Sequence, residues 1–195
     1  MQHALQISSP QSTEDFKLWS DQYSYRNHEK YDDFISTALD NKNSFFQLFL
    51  WKNGTNDKMS KSKEALVERL WKDREILLQL REEENWVLFA STFKPDESAT
   101  IFNLFLLHIM NPAHYPIYDQ HVYRAYHFIT TGTIKEIPNN PKRKYESFIK
   151  HYLPWFREIR SQHKVLKVKV IDQALFTFGR ALKTIQSYPK SILEV

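Results

Sequence analysis

Leu66-Val67-Glu68-Arg69-Leu70-Trp71-Lys72-Asp73-Arg74-Glu75-Ile76-Leu77-Leu78-Gln79-Leu80 is the stretch that decides the fold class. Leu66, Val67, Leu70 and Trp71, then Ile76, Leu77 and Leu80, recur at three- and four-residue intervals with Lys, Arg and Glu between them. That spacing puts the apolar side chains on one face of a helix turning every 3.6 residues. It predicts one long helix or two abutting ones over 60–84. The whole chain holds only three glycines, Gly54, Gly132 and Gly179, too few for a protein built from β-hairpins and tight turns. The expected fold class is therefore all-α, a compact multi-helix domain with almost no strand.

The same pattern extends outward from this stretch. Ser12 and Thr13 precede a short amphipathic run with Phe16, Leu18 and Trp19, and 28–39 places Tyr31, Phe34, Ile35 and Leu39 near helical spacing. Phe45 to Lys52 is too apolar for a one-faced helix; Asn43 or Ser44 is expected to cap it and Gly54 to end it. Lys94-Pro95-Asp96-Glu97 reads as a helix start, Asp96 capping, ahead of the buried run Ile101 to Met110. Pro112 and Pro116 then force a bend, since each removes an amide donor and pushes its predecessor into an extended conformation. Asp119 opens a further helix through Phe128, closed at Gly132. A helical pattern over 143–160 is interrupted near Pro154, and 168–185 forms the last helix, with Ile171, Leu175, Phe178 and Leu182 on one side.

At 195 residues, 42% hydrophobic and 15% aromatic, the chain can bury one substantial core. One domain over 1–195 is expected, with 1–10 as a disordered start. Any division into two helical lobes flanking a cleft would fall near 95 and in the loop 132–142. There is no cysteine, which excludes disulfide partners, thiolate zinc sites and a cysteine nucleophile. The first ten residues lack the basic start and apolar run of a secretory signal, and no apolar stretch approaches the ~20 residues of a membrane span. A cytoplasmic or nuclear location is expected, with no membrane partner. His108, His114, His121 and His127 lack the spacing of a metal-binding helix, so neither metal nor cofactor is expected.

Charge is modest overall at +4 but unevenly placed. Residues 1–40 hold three basic and seven acidic side chains, whereas 141–170 hold nine basic and two acidic. Lys142, Arg143, Lys144, Lys150, Arg157 and Lys164 are candidate contacts to a nucleic-acid backbone, because counterion release rewards clustered cations.

The segment most suggestive of chemistry is Tyr115-Pro116-Ile117-Tyr118-Asp119-Gln120-His121-Val122-Tyr123-Arg124, which sets a carboxylate where a rigid proline-containing loop meets a helix. Pro116, Asp119, His121, Val122 and Arg124 resemble the Pro-Val-Asp-x-His-Val-x-Arg pattern of helix-hairpin-helix DNA glycosylases, with Tyr118 inserted. The resemblance implies a DNA partner, Asp119 as the catalytic carboxylate, and Tyr118, His121 and Arg124 as contacts to the substrate base. Val170-Ile171-Asp172-Gln173-Ala174-Leu175-Phe176-Thr177-Phe178-Gly179 is similar to the closing helix of glycosylase-like proteins. Together the similarities cover 96–130 and, more faintly, 143–185.

Two features depart from the family. There is no glycine between Gly54 and Gly132, so the glycine hairpin that grips DNA phosphate is missing. The helix start 96–101 has no lysine for Schiff-base chemistry, Lys94 being nearest, so the resemblance implies a monofunctional enzyme using activated water. Two functional readings stay open. One is base excision on a flipped nucleotide using Asp119; the other is a non-catalytic helical module that binds nucleic acid or protein, with Asp119 only an N-cap.

Overall fold

Ser12 accepts a hydrogen bond from the amide of Asp15, whose carboxylate accepts in return from the Ser12 amide, and this reciprocal cap starts α1 (Thr13–Asp21). The computed structural model describes residues 8–25, 28–54, 58–82 and 84–186. The expectation for the start of the chain falls, for residues 1–7, outside them. After α1 come α2 (His28–Ile35), α3 (Lys42–Asn53), α4 (Lys61–Lys72), α5 (Glu75–Glu82), α6 (Trp86–Phe93) and α7 (Thr100–Met110). Next are α8 (Gln120–Thr131) and α9 (Pro141–Ser147), a π-helical turn (Phe148–Tyr152), α10 (Leu153–Gln162) and α11 (Val168–Gln186). Among the described residues there is no strand, so the all-α expectation holds. None of their helices is long and apolar enough to cross a membrane.

The chain divides into two compact units, one of Met1–Tyr23, Tyr118–Pro138 and Phe148–Val195, the other of Ser24–Ile117 and Asn139–Ser147. In the second unit, the opening stretch of sequence becomes two abutting helices, α4 and α5, that bury Val67, Leu70, Leu77 and Leu80. The core of this unit forms where Phe49 of α3 meets Phe102 and Phe105 of α7, at ring separations of 5.3 and 5.4 Å. Every residue of α7 from Phe102 to Met110 is buried, so this helix has no polar face to reveal its period. Buried His108 donates from Nδ1 to the Tyr115 carbonyl at 2.7 Å and takes the Tyr31 hydroxyl at Nε2, tying the proline bend to α7 and α2.

Three local expectations need correction. Asn41, not Asn43 or Ser44, caps α3, its side chain accepting from the Ser44 amide. Asp96 does not start α7: Lys94 to Ser98 form a turn closed by Thr100 Oγ1 on the Pro95 carbonyl and Asn103 Nδ2 on the Ser98 carbonyl. The helix begins at Thr100, after Ala99 in the left-handed region. A helix at Trp86–Phe93, capped by Asn85, was not anticipated.

The first unit is organised on α11. One side of it receives α1 through Trp19 on Phe178 and Tyr23 on Phe176, ring centres 5.1 and 5.6 Å apart, and through Ser20 Oγ donating to Gln173 Oε1. Another side receives α8 through Phe128 on Phe178 and His121 on Phe176. The anticipated break near Pro154 takes the form of the π turn. Pro154 has no amide to give the Lys150 carbonyl, and the turn before it widens. This directs both Phe148 and Tyr152 onto Tyr118, at 5.2 and 5.1 Å.

Candidate site at the mouth of the eighth helix

Asp119 has extended backbone angles, φ −158° and ψ −175°, and then the chain turns into α8. Its Oδ1 accepts from the amides of His121 and Val122 at 2.8 and 3.0 Å, satisfying two of the four donors a helix start leaves without intrahelical partners. The anticipated cap is therefore present, and Gly132, at φ 71°, closes the helix by donating to the Phe128 carbonyl. Asp119 is partly exposed, so this helix mouth is reachable from solvent.

Tyr118, the residue inserted relative to the family pattern, is 3% exposed and packed among Phe148, Tyr152 and Tyr123. It anchors the chain ahead of Asp119 in the core of the unit. Beside it lies fully buried Tyr152, whose phenol is held well above its ordinary range by burial first, and then by the negative charges of Asp172 and Asp119 and by Tyr118. The phenol thus stays protonated among carboxylates. Asp172 is 6% exposed, one helical turn before Phe176 and two before Gly179.

Among the described residues Arg124 is the largest fully buried side chain, at 0% exposure. Its Nε and Nη2 donate three bonds to the Glu136 carboxylate at 2.8–3.0 Å, and its Nη1 reaches the Gly179 carbonyl at 2.9 Å and His121 Nδ1 at 3.2 Å. Those five bonds match the five N–H donors of a guanidinium, so burial leaves none unsatisfied. The bidentate match to Glu136 is the geometry arginine provides and lysine does not. Because the guanidinium only donates, His121 Nδ1 must accept, and the neutral ring then carries its proton on Nε2. Burial lowers the pKa of His121; Asp119 opposes that shift, and Arg124, Lys183 and Arg180 add to it.

Gly179 permits this convergence. A Cβ there would stand 1.9 Å from the His121 carbonyl oxygen and 2.6 Å from its carbon, so α11 and α8 touch backbone to backbone. Segments 115–124 and 170–179 therefore meet here, backbone against backbone.

The six candidate backbone contacts fall in different units. Lys142, Arg143 and Lys144 lie on α9 in the second unit; Lys150, Arg157 and Lys164 belong to the first. From 148 to 186 the first unit carries eight basic and two acidic side chains, and one of the two acids is buried Asp172. Sequence reasoning had not singled out Glu136, Tyr152, Arg180 or Lys183. Asp172 and Gly179 lay within the quoted closing run, and their seven-residue separation already placed them on one helical face. Among the described residues no three metal-ligating side chains stand together. No protein-family model matches the chain, and neither a curated protein nor a solved structure matches it significantly.

Proposed function

We propose that the first unit binds nucleic acid and hydrolyses the N-glycosidic bond of a base held out of the stack, with Asp119 as the essential carboxylate. The observation that carries this reading is the meeting of 115–124 with 170–179 at His121 and Gly179, which sets a partly exposed carboxylate at a helix mouth beside a segment, 148–186, with eight basic and two acidic side chains. Asp119 would stabilise positive charge developing on the sugar and take a proton from the attacking water. Water oxygen bonds to C1′, the C1′–N bond breaks, and its electron pair leaves with the base, which takes a proton from solvent while Asp119 releases the water proton to solvent and returns to carboxylate. His121 is the neighbouring contact. Tyr118 and Arg124 serve as buried supports that fix the direction of the helix mouth.

The test is base release from oligonucleotides carrying deaminated, oxidised, alkylated or mismatched bases, scored as alkali-cleavable abasic sites. Wild-type protein should release at least one such base without cutting the strand. Asp119→Asn, whose side-chain carbonyl still caps α8, should lose release by about 100-fold or more, on the scale of general acid–base contributions, while keeping oligonucleotide binding. A second reading, a non-catalytic nucleic-acid-binding module, is favoured by the two amide bonds that already occupy Asp119 Oδ1. It predicts binding with no base released from any substrate.

A further inference from the structure

We infer that His121, Arg180 and Lys183 form a phosphate-binding site beside Asp119, which seats the backbone of the nucleotide whose base is attacked. This inference rests on the nucleic-acid reading above and supplies the phosphate contact that the missing glycine hairpin would otherwise make.

Phe176, Gly179, Arg180 and Lys183 are related by three- and four-residue spacings along one face of α11. Gly179 touches the His121 backbone, and Phe176 meets the edge of the His121 ring at 5.0 Å. The Arg180 guanidinium lies 5.9 Å from the centre of the same Phe176 ring, so the arginine and the histidine neighbour one side chain. Lys183 follows Gly179 by four residues, one turn further on the face that meets α8. Both Arg180 and Lys183 are exposed. Their charges reach His121, as the lowering of its pKa reflects.

His121 is preset for an anion. The buried Arg124 guanidinium occupies Nδ1, so the neutral ring presents an N–H donor on Nε2. The nearest anion, Asp119, is engaged with two amides of its own helix. Glu136 balances Arg124, so around the ring Asp119 is set against Arg180 and Lys183, and the sum of these charges is positive. A tetrahedral phosphate with several acceptor oxygens fits one ring N–H, one planar fork and one flexible ammonium. His121 follows Asp119 by two residues and its amide bonds Asp119 Oδ1, so a phosphate held at this ring would lie beside the carboxylate proposed to react, as positioning a sugar for attack requires.

The test uses the full chain and a fluorescently labelled duplex, with affinity read by anisotropy between ~50 and ~200 mM salt. Arg180→Ala and Lys183→Ala should each weaken binding about eightfold near ~0.1 M salt and lower the salt slope by ~0.9, the value of one lost phosphate contact. Lys135→Ala removes an exposed cation beyond the far end of α8 and should change neither. Circular dichroism of each variant should match wild type, since all three side chains are exposed. An unchanged slope in the Arg180→Ala/Lys183→Ala double variant overturns the site and leaves the nucleic-acid reading standing. If wild-type protein binds no oligonucleotide, that reading falls, and inorganic pyrophosphate then decides the site. A shift of the His121 ring signals by NMR in wild type but not in the double variant supports an anion site independent of nucleic acid; no shift overturns it.

Discussion

Replacing Gly179 by Ala should destabilise the protein, although the same change in an ordinary helix interior stabilises it. Alanine loses less conformational entropy on folding than glycine, which alone would favour Gly179→Ala by about 1 kcal/mol. Against this, the new methyl group would lie 1.9 Å from the His121 carbonyl oxygen, where ordinary contact begins near 3.4 Å. The obstacle is backbone on both sides, so no rotamer relieves it and α8 must part from α11 by about 1.5 Å. A gap of 0.5–1 Å already forfeits roughly a quarter to a half of a dispersion well, which affects Phe176, Phe178 and Phe128 together. The 2.9 Å bond from Arg124 Nη1 to the Gly179 carbonyl would stretch past hydrogen-bonding range, leaving buried polar groups at a cost of about 1–3 kcal/mol. With overpacking adding about 1–3 kcal/mol, the clash outweighs the entropy gain and the net loss is about 2–4 kcal/mol. For a chain this long that lowers the melting temperature by roughly 5–15 °C. Urea unfolding followed by far-ultraviolet dichroism and by tryptophan fluorescence measures it, with Trp19, packed on Phe178, reporting from the affected unit. A Gly179→Ala variant as stable as wild type, or more so, would refute the close approach.

Glu136→Ala should cost about 2–3 kcal/mol, because three of the five bonds of a wholly buried guanidinium disappear. That is less than breaking a fully buried pair, since the Glu136 side chain is 54% exposed; a loss under about 0.5 kcal/mol by denaturant titration would mean Arg124 finds other partners. Asp119→Ala should cost about 1 kcal/mol through the lost cap, whereas Asp119→Asn should stay within about 0.5 kcal/mol of wild type, as thermal unfolding can check. Burial, with a smaller push from Lys52, lowers the His108 pKa from 6.5 to about 4. The unfolded chain therefore binds the proton first, so this contribution is intact above pH 6.5 and is lost as pH falls toward 4. The total reaches roughly 3 kcal/mol, and His108→Gln should flatten that part of a stability profile against pH.

Helix boundaries were legible where a single residue supplies the needed chemistry. Asp119 caps and Gly132 closes α8 because a carboxylate can reach two free amides and glycine adopts a left-handed φ without strain. Reading failed where the signal is shared or absent. In Asn41-Lys42-Asn43-Ser44 three residues have capping side chains, and only the register of the buried face, with Phe45, Leu48 and Phe49 inward, selects Asn41. Trp86-Val87-Leu88-Phe89-Ala90 offers no polar face, so its helical period cannot be seen. Asp96 has the composition of a cap, but the bonds from Thr100 and Asn103 back to Pro95 and Ser98 close a turn there first. At the site, Asp119 was legible because it is local. The Arg124 clamp was not, since a charged side chain is exposed by default and its acceptors lie 12 and 55 residues away.

That separation bears on how the site would work. A hairpin of glycine amides grips phosphate with rigid backbone donors that carry no net charge. On the proposed reading, a chain with no glycine between Gly54 and Gly132 would hold phosphate through side chains, which are mobile and strongly dependent on salt. Mobility would blur the position of a bound sugar unless something rigid referenced those side chains to Asp119. The Gly179–His121 contact does this, because it locks the helix carrying Arg180 and Lys183 to the helix that Asp119 caps, and Arg124 fastens both to one buried point. If the proposed activity holds, substitutions at Gly179 or Glu136 too mild to unfold the protein should therefore lower the rate of base release more than they weaken oligonucleotide binding. Equal losses in both would mean that the two helices act independently.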